Sequence, residues 1–196
     1  MCPRKEHGFS LLELLTVIAI VGVLAAAAVP SWLSLRRRAA VRAAAAEIRM
    51  IFHETRSRAI ARAANAGLRF TRTGSQWQFA GYDDGDDDGV RNDDINSLVD
   101  RCVMPPRYLL LHQLVSIGLL REEIRDPDGD RLRPTDSPIQ FGRSSICSFS
   151  PMGSSTSGTI YLTDDAGSLY AVRVYGVSAK IRLLRYDGAR KRWESR

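Results

Sequence analysis

Between Leu14 and Val29 the chain reads LLTVIAIVGVLAAAAV without a charge, and a single acid, Glu13, stands directly in front of that run. With Phe9–Leu12 added, the stretch reaches the roughly 20 residues that cross a bilayer core as a helix. A secretory signal would place a positive region, an apolar core and a small-residue cleavage site in that order, and Ala25–Ala28 offers such a site. A plain membrane anchor explains the length of the run but not Glu13. A carboxylate inside a membrane helix costs about 2.5–3.5 kcal/mol even on the lenient insertion scale, and usually marks function.

A third reading accounts for the whole segment. Arg4 and Lys5 form a short positive leader, Gly8-Phe9 a junction, and Glu13 follows one helical turn later. The string Gly8-Phe9-Ser10-Leu11-Leu12-Glu13 resembles the prepilin processing motif of type IV pilins and type II secretion pseudopilins. The resemblance implies a leader at residues 1–8, cleaved between Gly8 and Phe9 by a membrane aspartyl peptidase that also methylates the new amino group of Phe9. It extends to Pro30, where such proteins carry a proline within the long helix. It also implies other pilins as partners, an inner-membrane anchor and a domain facing the periplasm. Arg36-Arg37-Arg38 after the span would favour the opposite topology by charge count; the resemblance decides for a cytoplasmic leader. The physics agrees with the motif. Cleavage places a positive amine near a carboxylate that has no partner in lipid, so Glu13 can be neutralised by the Phe9 amine of its own or a neighbouring chain. That pairing would set the axial register of assembly.

Helical character continues beyond Pro30, which should bend the helix rather than divide it. Val41, Ala45, Ile48, Phe52, Ala59 and Ala63 recur at helical steps, with Arg42, Arg49, Arg56 and Arg62 on another face. Gly67 supplies a stop signal. One helix is expected from about Ser10 to Ala66: residues 9–35 in membrane or filament core, and 36–66 packed on a sheet. An alanine-rich stripe of about three heptads is too weak for an autonomous coiled coil.

From residue 67 to 196 the pattern is that of strands. Leu68–Thr73 and Gln76–Tyr82 form a hairpin around Gly74-Ser75; Ile139–Gly142, Ile146–Phe149, Thr159–Thr163, Leu169–Tyr175 and Lys180–Tyr186 follow. Tyr108–Ile117 is ambiguous between strand and short helix. The fold class is α+β, a long kinked helix on an antiparallel sheet. Phe149-Ser150-Pro151-Met152-Gly153, Gly158-Thr159-Ile160-Tyr161-Leu162 and the strand Leu169–Tyr175 resemble the GspH/FimT branch of minor pilins. The resemblance implies either a minor pseudopilin near the tip of a secretion pseudopilus, or a minor pilin linked to DNA uptake. Residues 83–138 read as an insertion.

Three further groups carry expectations. Asp84, Asp86 and Asp88 before Gly89 match the front half of a calcium loop, with Asn92 and Asp93 as further oxygens; Ile95 replaces the glutamate that an EF-hand needs. A second cluster, Asp126-Pro127-Asp128-Gly129-Asp130, reads as a turn. Cys2 would leave with the leader, so Cys102 and Cys147 can form one disulfide in an oxidising compartment or stay as thiols. In the FimT group a Gly-Arg-x-Arg motif contacts DNA; here Ser178-Ala179-Lys180-Ile181-Arg182 departs from it, although Arg185, Arg190, Lys191, Arg192 and Arg196 keep the region basic. Lys180, Arg182, Arg190, Lys191 and Arg192 are the candidate phosphate contacts, with Trp193 as a base-stacking ring. The net charge of +6 permits anionic lipid, nucleic acid or acidic protein without selecting among them. His7, His53 and His112 have no ligand or nucleophile partners at suitable spacing, and no cofactor fingerprint is present. No enzyme activity and no required cofactor are expected.

Overall fold

The computed structural model describes residues 10–74, 76–109 and 114–195. Residues up to Arg37 and those from Arg38 onward form two separate compact units. One α-helix, α1 (Leu11–Arg62), contributes to both and is not divided at Pro30. In the first unit it presents Leu11, Leu15, Ile18, Val21, Leu24 and Trp32 to the outside. It is long and apolar enough to cross a membrane. That exposure suits lipid or other helices as the surroundings, because no core among the described residues covers it.

In the second unit α1 is amphipathic. Val41, Ala44, Ala45, Ile48, Phe52 and Ala59 are buried at three-, four- and seven-residue steps. The helix ends four residues earlier than the sequence suggests. Ala63 adopts φ 51°, its N–H donates to Ile60 O, and the Ala64 N–H reaches Ala59 O at 3.3 Å. This pair of bonds is a Schellman closure with alanine in the left-handed position that glycine normally fills. Gly67 therefore does not stop the helix. It lies in β1 (Ala66–Thr73), where a Cβ would come within 3.0 Å of Val90 Cβ.

Strand β1 pairs throughout with β2 (Gln76–Asp83), and Gly74 at φ +63° makes the expected hairpin turn. β3 (Arg101–Tyr108) and β8 (Ile146–Phe149) complete a four-stranded antiparallel sheet in the order β3-β2-β1-β8. The second sheet follows β12 (Arg192–Ser195), β11 (Lys180–Asp187), β10 (Leu169–Tyr175), β9 (Gly158–Thr163) and β4 (Ser116–Ile117). β7 (Ile139–Gln140) shares the β9 edge with β4, so β9 is paired along both sides and buried at every position. β5 (Ile124–Arg125) and β6 (Arg131–Leu132) form a small separate hairpin. Of the ambiguous stretch from Tyr108 to Ile117, the ends are strand, and residues 110–113 lie outside the described residues.

Two cores follow from strand alternation. Ile160, Leu162, Val172, Val174, Ile181 and Leu183 face α1 and the first sheet. Tyr161, Leu169, Ala171, Leu184 and Tyr186 face the opposite way, under Ile124 and Leu132 of the β5–β6 hairpin. Residues 83–138, read as an insertion, are thus integral: they supply an edge strand to each sheet and a cover for one face. At the centre of the larger core Phe52 meets Phe70, Phe141 and Phe149 at centroid distances of 6.1, 5.7 and 6.2 Å. Gly158 lets Phe141 sit this close, since a Cβ there would lie 2.2 Å from the ring.

Candidate functional site

Glu13 lies in the first turn of α1, where the positive end of the helix dipole favours an acid. The helix begins with Leu14 N–H donating to Ser10 O at 3.1 Å. Thr16 Oγ1 donates to the Glu13 carbonyl at 2.8 Å, which hides a hydroxyl inside the apolar run. The Glu13 carboxylate makes no ion pair among the described residues. Around it lie exposed Leu11, Leu12, Leu14, Leu15 and Val17. In lipid, a carboxylate in such surroundings would be stabilised by a cation from a neighbouring group. The cleavage pair Gly8-Phe9 lies outside the described residues, as do His7 and His112.

The acidic segment after β2 is wired internally. Asp83 is gripped by Arg58 through two bonds of 2.7 and 2.8 Å, with Arg62 at 3.4 Å. Asp84 accepts four N–H donors: Asp86 and Asp87 on Oδ1, Asn65 Nδ2 (2.6 Å) and Gly89 (2.7 Å) on Oδ2. Burial pushes its carboxyl upward, but these donors outweigh that and hold it below the ordinary value. Asp100, also buried, accepts from Gly85 and Arg91 N–H, fixing the far side of the loop. Asp84, Asp86 and Asp88 each bring one ligand oxygen within 4.8 Å of the others. Asp86 is pushed upward by partial desolvation and by Asp88 and Asp84 beside it. Asp88 is paired with Arg91. Of the other two residues expected at a calcium, Asn92 and Asp93 belong to the short helix α2 (Asn92–Asn96), and the Asn92 amide donates to Ser144 O at 3.3 Å. The structure therefore gathers three of the five, on a loop whose backbone their neighbours already satisfy.

The basic residues divide into two places. Lys180 and Arg182 are exposed at the start of β11, with Arg182 5.8 Å over the Tyr175 ring. Arg190, Lys191 and Arg192 lie past the other end of the same strand, about 25 Å away at strand rise. There Arg190 pairs with Asp187 and Glu194, and Arg192 with Glu194 at 3.2 Å. Trp193 does not stand free as a stacking ring. It packs on Tyr186 and Tyr161 at 5.3 and 6.0 Å, and its Nε1 donates to Arg125 O at 2.8 Å, tying β12 to the β5–β6 hairpin. The five residues therefore do not make one continuous phosphate track.

Sequence reading gave Arg173 no role. It is buried on β10, donates to Thr159 Oγ1 at 2.8 Å and pairs with Asp128 in the β5–β6 turn. Its clue was an arginine interrupting an apolar strand. The Asp126–Asp130 cluster is a turn, as expected, with Asp126 Oδ1 accepting from the Asp128 and Asp130 N–H groups.

The proposed disulfide is corrected. Cys102 and Cys147 are both free, the first exposed on β3 and the second buried on β8. They sit on opposite edge strands of the first sheet, about 14 Å apart at three strand spacings. A disulfide needs Cα atoms within about 7 Å. Burial raises the Cys147 thiol well above its usual range and keeps it protonated. His53, on α1, is held low by burial and by Arg49 and Arg56 beside it, so it decorates the helix as a neutral ring.

Residues 3–29 match the prokaryotic N-terminal methylation motif. No curated protein and no solved structure matches the chain. The matched residues take in the expected junction Gly8-Phe9, Glu13 and the apolar start of α1. The match supports a type IV pilin-like chain, anchored in a membrane, processed by a prepilin peptidase and assembled with other pilins. Proteins with this motif are structural subunits rather than enzymes.

Proposed function

We propose that this chain is a minor pseudopilin of the GspH type, a non-enzymatic subunit that helps initiate or cap the periplasmic pseudopilus of a type II secretion system. The observation that carries the reading is Glu13: a carboxylate in the first turn of an outward-facing apolar helix, within the matched methylation motif. Cleavage after Gly8 and methylation of Phe9 would create the cation it needs. The subunit would wait in the inner membrane, its β-sheet unit in the periplasm, until a neighbour's amine meets Glu13. The strand pattern from Phe149 to Tyr175, which resembles the GspH/FimT branch, supports the finer assignment. The test is mass spectrometry of the membrane-extracted chain together with secretion in a deletion strain. An N-methylated Phe9 and lost secretion are the expected results. An intact Met1 terminus would overturn the reading.

A FimT-like pilus subunit that contacts DNA is the second reading. It is favoured by the Tyr175–Arg182 stack beside exposed Lys180. A mobility-shift titration at two salt concentrations separates the two, because phosphate binding by these residues weakens steeply with salt.

A further inference from the structure

Between Glu13 and Arg36 stand 22 residues without a charge, Leu14–Leu35, all on the one helix α1. At 1.5 Å per residue they cover about 33 Å, close to the roughly 30 Å of a bilayer's hydrocarbon core. The two ends of the run are built alike. Ser34 Oγ donates to the Ser31 carbonyl at 2.8 Å, as Thr16 does to that of Glu13, so both hydroxyls are satisfied inside the helix. Trp32, 67 % exposed, lies one turn before Arg36, at the level where indoles gather between acyl chains and headgroups. A helix seated with Glu13 at one boundary therefore carries Arg36, Arg37 and Arg38 into the headgroup layer at the other.

Among the described residues no carboxylate answers these three charges. Arg36 and Arg38 are exposed, Arg37 is half-buried, and none of them forms an ion pair there. Arg58 and Arg62, farther along the same helix, are held by Asp83. Successive helical residues turn by about 100°, so Arg36, Arg37 and Arg38 leave the helix on three different sides. A protein partner or a nucleic-acid strand lies against one side and meets one or two of them. A surrounding layer of phosphates meets all three. The residue type agrees, because a guanidinium fork takes phosphate oxygens in pairs. In the orientation proposed above, these cations stand outside the cytoplasm, where the positive-inside rule disfavours them. An anion at that boundary offsets the cost of carrying them across.

We propose that Arg36, Arg37 and Arg38, with Trp32 beneath them, form a ring-shaped site for the headgroups of anionic phospholipids at the end of the span opposite Glu13. The lipid phosphates take the guanidiniums. The indole, with Leu33 and Leu35 at 47 and 62 % exposure, lies against the upper acyl chains. The site rests on the membrane-anchored subunit reading above and adds a lipid partner to it. The two charged ends of the apolar run then have different partners: an amine for Glu13 and phosphates for the arginines.

The test is native mass spectrometry of the full chain, extracted from membranes in mild detergent and offered equal amounts of phosphatidylglycerol and phosphatidylcholine with the same acyl chains. Phosphatidylglycerol adducts are expected several-fold above phosphatidylcholine adducts. The ratio should fall to about one in the triple variant Arg36→Gln, Arg37→Gln, Arg38→Gln. It should stay high in a control that neutralises three exposed arginines elsewhere, Arg121→Gln, Arg133→Gln, Arg143→Gln. Equal retention of the two lipids by the unaltered chain overturns the proposal, as does a preference that the first triple variant keeps. A preference lost equally in the control traces it to net charge and also overturns the site. Millimolar glycerol phosphate should leave the adducts in place, and their displacement would show a site for free phosphate instead of lipid. None of these failures touches the N-methylated Phe9 on which the subunit reading is tested.

Discussion

Phe52 on α1 meets Phe141 edge-on, with ring centroids 5.7 Å apart and planes at 70°. Phe141 in turn stacks on Phe70 at 5.9 Å and 13°. One helical side chain thus joins α1 to the first sheet and to the segment that follows β7. Truncating it leaves a cavity lined by three aromatic rings that cannot collapse together. Phe52→Ala should lower unfolding stability by about 3–5 kcal/mol, read by urea denaturation of the unit from Arg38 onward. A loss under about 1 kcal/mol would show that the rings repack.

Ala63 carries the opposite expectation. Its left-handed backbone costs a residue with a Cβ about 1–2 kcal/mol, which glycine avoids. Ala63→Gly should therefore stabilise the unit by about 1 kcal/mol, a rise in Tm of roughly 2–4 °C for a domain of this size. Ala63→Val should lower Tm.

Acid sensitivity should centre on Asp84 and Asp164. In Asp164, as in Asp84, burial pushes the carboxyl up, but donors from Ser168 and Ala166 win and hold it low. A depressed folded value means stability present above the unfolded carboxylate range, near pH 4, and lost as pH falls through the folded value. Asp84→Ala should cost stability at pH 7 and flatten the acid limb. The same melts with and without millimolar calcium test the metal reading. A calcium-dependent rise that Asp86→Ala abolishes supports it, and an unmoved wild-type melt rejects it.

Removing Glu13 separates processing from assembly. Glu13→Ala leaves the Gly8-Phe9 junction intact, so cleavage should proceed, followed by loss of incorporation into filaments. Immunoblotting of membrane and sheared fractions reads both steps. Normal incorporation of the variant would remove Glu13 from the mechanism.

The Arg173–Asp128 pair fastens the β5–β6 hairpin over the outer sheet face. Asp128→Ala leaves a buried guanidinium with Thr159 as its remaining hydrogen-bond partner and should cost about 1–3 kcal/mol. Arg173→Met keeps the apolar stem and removes the stranded charge, so it should cost less. Differential hydrogen exchange over Ile124–Leu132 would localise the effect.

The long helix, the first hairpin and five later strands were legible because their apolar residues repeat with clean periods over enough residues. What escaped reading did so for identifiable reasons. β3 contains Pro105-Pro106 and exposed Arg101 and Arg107, as befits an edge strand with one row of hydrogen bonds to make. β5 and β6 are two residues each, too short for any period. The helix stop was misplaced because Gly67 is the better local signal, yet its missing Cβ serves contact with Val90, while Ala63 takes the strained turn. At the site, Glu13 stands out in the sequence because a charge directly before an apolar run is costly in lipid. The Cys102–Cys147 distance was not, since it depends on strand order, which pairwise spacing in sequence does not carry.

The closure at Ala63 has a mechanical consequence. Three residues, Ala63–Asn65, separate α1 from β1, and β1 is an inner strand paired with β2 on one side and β8 on the other. Tension applied along the helix therefore enters the sheet at once, with almost no slack to take up. It pulls β1 lengthwise between two neighbours, so the ladder bonds on both sides are loaded in parallel rather than peeled one after another. A subunit built this way can be hauled by its helix while its sheets stay folded.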